Sequence, residues 1–253
     1  MLQRTAVGAI GFMAAVAGSL SARAEPHHHW SYSGEGGPSH WAELDAKNAA
    51  CGTGKSQSPI DIHTRKTHRK DLPALVFDYR PTPLHIIDNG HSIQIDVESG
   101  SSLRIGGKAY QLVQFHFHHP SEERINGKSS EMVAHLVHRD SAGKLAVVAV
   151  LLNAGKPNAT VESLWSHLPK QKNHEMDFES VRIHPAGLLP ADHSYFTYTG
   201  SLTTPPCSEG VRWFVLKSPS TLSKSEISTF ARRYPNDARP LQMLNGREVL
   251  TTK

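Results

Sequence analysis

Residues 145–152 are apolar without a break, and Gly143 and Gly155 bound the run. A stretch of that length has no polar face, so as a strand it needs cover on both sides. It belongs in the middle of a sheet with packed side chains above and below. A chain of 253 residues is long enough to bury such a core without help from metal or disulfides.

Other segments agree with a sheet. Residues 111–118, 132–138 and 211–216 are further strand candidates, and residues 92–97 alternate strictly, as a half-buried strand does. Asp88-Asn89-Gly90 is a turn signal that splits residues 84–97 into two short strands. Ser58-Pro59-Ile60-Asp61-Ile62 reads as the start of another. Helices are few. Val161, Leu164 and Trp165 fall at helical spacing within residues 160–167, and Ser223 with Glu226 makes a capping box ahead of Ile227, Phe230 and Ala231. Residues 27–41 read as an extended segment lying on a surface, and residues 66–70 as a solvated basic loop. The expected fold is mostly β, a single domain on one central sheet with peripheral helices.

The amino end reads as a leader. Arg4 gives a positive start, residues 5–20 are small and apolar, and Ala22-Arg23-Ala24 is a small-x-small cleavage site. The apolar stretch is shorter than the roughly 18–20 residues a membrane span needs. The expectation is a signal peptide over residues 1–24 and a domain over residues 25–253. The mature protein is then periplasmic, carried across the inner membrane, with no membrane segment. Removing residues 1–24 takes away two arginines and no acid, so the net charge falls from +4 to +2. That field is too weak to draw in nucleic acid or a lipid surface, and no basic cluster with interleaved aromatics is present. The two cysteines, Cys51 and Cys207, suggest one disulfide in an exported chain, with two separate buried thiols as the alternative.

Chemistry concentrates in Gln114-Phe115-His116-Phe117-His118. Alternate side chains of a strand face opposite ways, so His116 and His118 share one face while Phe115 and Phe117 anchor the other. His135 lies in the next strand candidate, and antiparallel pairing of the two strands would complete a triangle of imidazoles. Three neutral nitrogens with a fourth position open suit a catalytic Zn²⁺ better than a structural one. Val137 follows His135 by two residues and so faces the same side.

Taken together, Gln114 to His118, Ser121-Glu122, His135-Leu136-Val137-His138 and Ser201-Leu202-Thr203-Thr204-Pro205-Pro206 resemble the α-class carbonic anhydrases. Gln57-Ser58-Pro59-Ile60-Asp61-Ile62, Asn89-Gly90-His91 and Arg239-Pro240 extend the likeness from about Trp30 to Arg247. The exported bacterial members are the most similar, because they share a leader and this cysteine pair. The resemblance implies a central, largely antiparallel twisted sheet of about ten strands with a few peripheral helices. It also implies one Zn²⁺ per chain and reversible hydration of carbon dioxide to bicarbonate and a proton by zinc-bound hydroxide, the reaction of a carbonate dehydratase, a lyase. Carbon dioxide and bicarbonate are the implied partners, and monomer or homodimer is left open.

On matching positions the resemblance makes His116, His118 and His135 the zinc ligands. Thr203 accepts a hydrogen bond from the hydroxide, Glu122 accepts the Thr203 hydroxyl proton, and Thr204 contacts bicarbonate or water. Val137, Val147, Leu202, Val211 and Trp213 form an apolar wall for the substrate. His91 is the implied proton shuttle, on a turn that would leave its ring mobile, with an ordinary pKa near 6.5 that suits a relay. Tyr32, Asn89 and Gln94 order a water chain, Gln114 orients His116, and a Cys51–Cys207 bridge steadies the Thr203–Thr204 loop. Two positions depart from the family pattern. Val133 stands where a glutamate commonly supports the third histidine, and Glu123 stands where a histidine often follows the Ser-Glu pair. Glu123 is expected to support His135 instead, with Glu131 as its rival.

Other classes are weighed on the same residues. A catalytically silent binding protein of this fold usually lacks a zinc histidine, and all three are here. A periplasmic zinc carrier is suggested by His27-His28-His29, but it needs neither Thr203, Glu122 nor an apolar wall. Ester hydrolysis would be a side reaction of the same hydroxide.

Overall fold

A computed structural model describes residues 29–253. The leader expected over residues 1–24, and His27 and His28, lie outside the described residues. Ten strands form a continuous spine: β1 (His68–Arg69), β2 (Thr82–Asp88), β3 (Ile93–Asp96), β4 (Lys108–His118), β5 (Met132–Arg139), β6 (Leu145–Ala154), β7 (His174–Ile183), β8 (Tyr195–Ser201), β9 (Glu209–Leu216) and β10 (Leu250–Thr251). They lie side by side in the order β7-β2-β3-β4-β5-β6-β9-β8-β10-β1, and three short strands flank them to make a 13-stranded sheet. Most neighbours run antiparallel, but β9 and Ser220–Leu222 both pair parallel to β6, and β1 pairs parallel to β10. The sheet is therefore mixed.

The apolar run sits where its composition requires. From Ala146 to Leu152 every residue of β6 is buried, and successive side chains enter different cores. Val148 and Val150 join Phe115, Phe117 and Leu136 on one face of the sheet. Val147, Ala149 and Leu151 join Val133, Val211 and Trp213 on the other. The second face carries the histidines.

Two helices cover the larger core. Ala159–Trp165 is capped by Asn158, whose side chain accepts from the N–H groups of Thr160 and Val161. Lys224–Ala231 has the expected capping box between Ser223 and Glu226. Elsewhere the sequence reading needs correction. The segment from Trp30 to Trp41 is not simply extended, because it turns through a short 3-10 helix at Gly34–Gly36 and drives Trp41 fully into the interior. Residues 66–70 are exposed as expected, yet His68–Arg69 forms the edge strand β1, held by main-chain bonds to Val249 and Thr251. Strand β7 lies at the opposite edge of the sheet with most of its residues exposed, and its apolar alternation comes in two short pieces, Met176 with Phe178 and Val181 with Ile183, on either side of a register shift.

Candidate metal centre

The three histidines meet because of strand register. His116 on β4 and His135 on β5 are directly paired residues, and His118 lies two positions along β4 on the same face. Their ring centroids are 5.0, 5.4 and 4.9 Å apart, and one nitrogen from each lies within 4.8 Å of the others. The Phe115 and Phe117 rings fill the core behind them and fix the strand.

Each ring has its other nitrogen engaged. His116 Nδ1 donates to Gln114 Oε1 at 2.9 Å, and His118 Nδ1 donates to the Asp237 carbonyl at 2.7 Å. His135 Nε2 donates to Glu123 Oε2 at 3.2 Å. These partners only accept, so they set the tautomers and leave His116 Nε2, His118 Nε2 and His135 Nδ1 as lone-pair donors. His118 Nε2 is buried without a hydrogen-bond partner. Burial, and then His118 and His135, hold His116 well below the usual histidine range, so it stays neutral as a ligand must. Burial also disfavours charge on His118, but Glu122 and Asp237 outweigh it and raise the ring. A negative field around converging ring nitrogens fits a divalent cation, and the all-nitrogen set fits zinc.

Two carboxylates sit under this cluster. Glu122 Oε1 accepts from the Arg239 N–H at 2.8 Å, while its Oε2, 3.6 Å from His118 Nε2, has no hydrogen-bond partner. The bond from Thr203 to Glu122 that the resemblance implies is not formed among the described residues; Thr203 is buried and Thr204 half-buried beside it. Glu123 is wholly buried, whereas Glu131 is exposed, so only the former reaches His135. Val147, Val211 and Trp213 are buried in the apolar cluster on the histidine face, with Val137 and Leu202 packed at its edge. Trp213 meets the His135 ring edge-on at 5.0 Å and donates its indole N–H to Ser201.

His91 stands on the turn before β3, whose Gln94 is the register partner of His116. The turn is braced, because Asn89 Oδ1 accepts from the N–H groups of His91 and Ser92. The ring stacks on Trp30 at 3.5 Å, where the sequence reading expected a mobile side chain. Gln94 donates to Asp96 at 2.7 Å, and the Tyr32 hydroxyl is buried without a partner. Burial and then the Glu122 and Asp237 charges push Tyr32 well above its ordinary value. Cys51 and Cys207 are joined, and Cys207 bonds back to Thr204 through its main chain.

Asp237 and Trp30 escaped the sequence reading. The Asp237 carbonyl oxygen holds His118, and any residue carries a carbonyl, so no side-chain pattern signals it. Asp237 Oδ1 also accepts from the His119 N–H at 2.7 Å, and burial lifts that carboxyl to about 7.

Three histidines converge on one face of a mixed β-sheet with an apolar wall alongside, a group that could hold one metal ion. Comparison with known proteins narrows this reading. Residues 36–253 match the eukaryotic-type carbonic anhydrase family. The chain is 42% identical over 225 residues to a carbonic anhydrase of Nostoc sp., across 88% of this chain and 85% of that protein. It is 42% identical over 226 residues to one of Klebsiella pneumoniae, across 88% and 90%. The structure of the α-carbonic anhydrase of Thermovibrio ammonificans, solved with the inhibitor sulfanilamide, matches with a TM-score of 0.85 at 39% identity, across 88% of this chain and 98% of that one. The chain belongs to the eukaryotic-type, or α, carbonic anhydrases.

Proposed function

We propose that this protein catalyses the reversible hydration of carbon dioxide to bicarbonate and a proton, with one zinc ion per chain held by His116, His118 and His135. The observation that carries the reading is the convergence of three lone-pair nitrogens whose ring partners are all engaged. Zinc bound there supplies a Lewis acid that ionises water near neutral pH, behaviour for which carbonic anhydrases are the type case.

The chain's own residues do the rest. Val137, Val147, Leu202, Val211 and Trp213 give a small apolar substrate a dry wall and leave hydrated anions less favoured. Glu122, with one oxygen fixed by Arg239 and the other without a hydrogen-bond partner, is poised to accept a hydrogen bond from the Thr203 hydroxyl. Thr203 then presents lone pairs to the attacking oxygen and orients it, while Thr204 contacts the product. His91 moves the released proton outward along water ordered by Tyr32, Asn89 and Gln94. Gln114 and Glu123 hold the His116 and His135 rings in place.

Stopped-flow carbon dioxide hydration by the mature protein, with and without zinc, tests this. Elemental analysis is expected to give one zinc per chain and to show its loss in His116→Ala, His118→Ala and His135→Ala. A zinc-loaded protein with no hydration activity sinks the reading. Export to the periplasm with removal of residues 1–24 belongs to the same proposal, and a mature amino end other than Glu25 would contradict it.

A further inference from the structure

Three rings lie nearly parallel beside the metal centre. His91 stacks on Trp30 with centroids 3.5 Å apart and planes 9° apart, and on His29 at 4.9 Å and 7°. The turn under His91 is fixed from below: Asp88, fully buried, accepts from the Gly90 N–H and the Tyr234 hydroxyl and pairs with Arg233 at 2.7 Å. His91 is half-buried, while His29 is exposed to solvent.

The hydrogen bond of His29 sets the tautomer of its neutral ring. Its Nδ1 lies 3.0 Å from the Trp30 carbonyl oxygen. A carbonyl only accepts, so Nδ1 carries the hydrogen and Nε2 keeps a lone pair free for a proton. His91 is differently placed. Burial, and after it the neighbouring His29 and Lys172 side chains, takes it down to about 4, and Trp30 adds only a neutral face. A ring so held gives back a proton quickly at neutral pH and is a poor final station for one.

We propose that His29 Nε2 is the outer proton acceptor of this enzyme, receiving from His91 and releasing to solvent. The inference rests on the carbon dioxide hydration reading and adds a residue to it. Only N–H and O–H bonds change: His91 takes a proton from water, passes it through one bridging water to His29 Nε2, and the imidazolium formed there gives it to buffer. Rings whose centroids are 4.9 Å apart have edges within the span of one such water.

The test measures kcat in dilute buffer, and kcat/KM, for the zinc-loaded mature enzyme and its His29→Ala, His29→Phe, His91→Ala and His29→Ala/His91→Ala variants. Both His29 variants are expected to lose about tenfold or more in kcat with kcat/KM unchanged, and added imidazole is expected to restore the rate. The double variant is expected to be no slower than His91→Ala, since the two rings share one path. Phenylalanine at position 29 keeps a ring to stack but no basic nitrogen. Full kcat in His29→Phe reduces His29 to packing and overturns the proposal, as does a double variant slowed by the product of the single effects. The kcat/KM of the parent enzyme reports separately on the hydration reading.

Discussion

Glu123 has no exposed surface, one hydrogen bond to its carboxylate and one oxygen that makes none. A buried carboxylate without full pairing costs several kcal/mol. The cost would be offset by a cation on the far nitrogen of the ring it touches, and on the proposed function Glu123 then positions His135. The strand position that would compete for the same N–H is Val133, buried and apolar. Glu123→Gln keeps the shape and removes the charge, so zinc affinity is expected to fall about 10- to 100-fold. Glu131→Gln, at an exposed position, is expected to leave it unchanged, and adding Val133→Glu to Glu123→Gln to recover part of the loss. Chelator competition measures all three. If Glu131→Gln weakens zinc more than Glu123→Gln does, the role has been assigned to the wrong carboxylate.

Strand β5 serves two cores, and its far face carries a second kind of histidine. His138 donates from Nδ1 to the Ala146 carbonyl at 3.3 Å and accepts the Tyr79 hydroxyl at Nε2 at 2.7 Å. Burial, the largest influence, takes it down to about 4. Between about 6.5 and 4 the unfolded chain therefore binds a proton that the folded chain refuses. Stability is fully present above about pH 6.5, falls as the pH drops towards 4 and levels off below, by about 3 kcal/mol at most. His138→Gln is expected to flatten that part of the profile in urea unfolding; equal slopes in variant and parent would count against it. The same strand shows what a sequence can disclose. Alternation in residues 114–118 and 132–138 revealed which side chains share a face, because the period of a strand is local. It did not reveal that β9 lies parallel beside β6, since that pairing joins residues far apart in the chain and leaves no local trace. Strand β7 was missed because its alternation is broken: Met176 and Phe178 share one short piece and Val181 and Ile183 another, with a register shift between them at a solvated edge. Glu123 could be nominated from its departure from the family pattern, but choosing it over Glu131 needed burial.

Across the whole molecule, the segments that frame the site are held by a few long-range ties. Arg239 donates to Gln57 Oε1 and the Ser58 carbonyl, both at 2.8 Å, and to the Cys51 carbonyl at 3.2 Å, while its own N–H binds Glu122. Gln57 donates to the Cys207 carbonyl at 3.0 Å, and Arg247 reaches the Gln57 carbonyl from the carboxyl end. The Cys51–Cys207 bridge joins the same two regions across a sequence separation of 156. Closing so long a loop in the unfolded chain is worth roughly 5 kcal/mol in the chain-entropy model. The three candidate ligand histidines lie on β4 and β5, in the middle of the sheet and away from the bridge. Removing it in Cys51→Ser/Cys207→Ser is thus expected to lower the unfolding free energy by a few kcal/mol while zinc affinity stays near that of the parent. Activity is expected to fall further than zinc affinity does, because Cys207 binds the Thr204 carbonyl and the loop carrying Thr203 loses its anchor. Denaturant unfolding, chelator competition and hydration kinetics on one preparation separate the three effects. Equal losses of zinc and activity would mean that the bridge supports the metal centre itself, and unchanged stability would mean that the Arg239 and Gln57 bonds hold these segments alone.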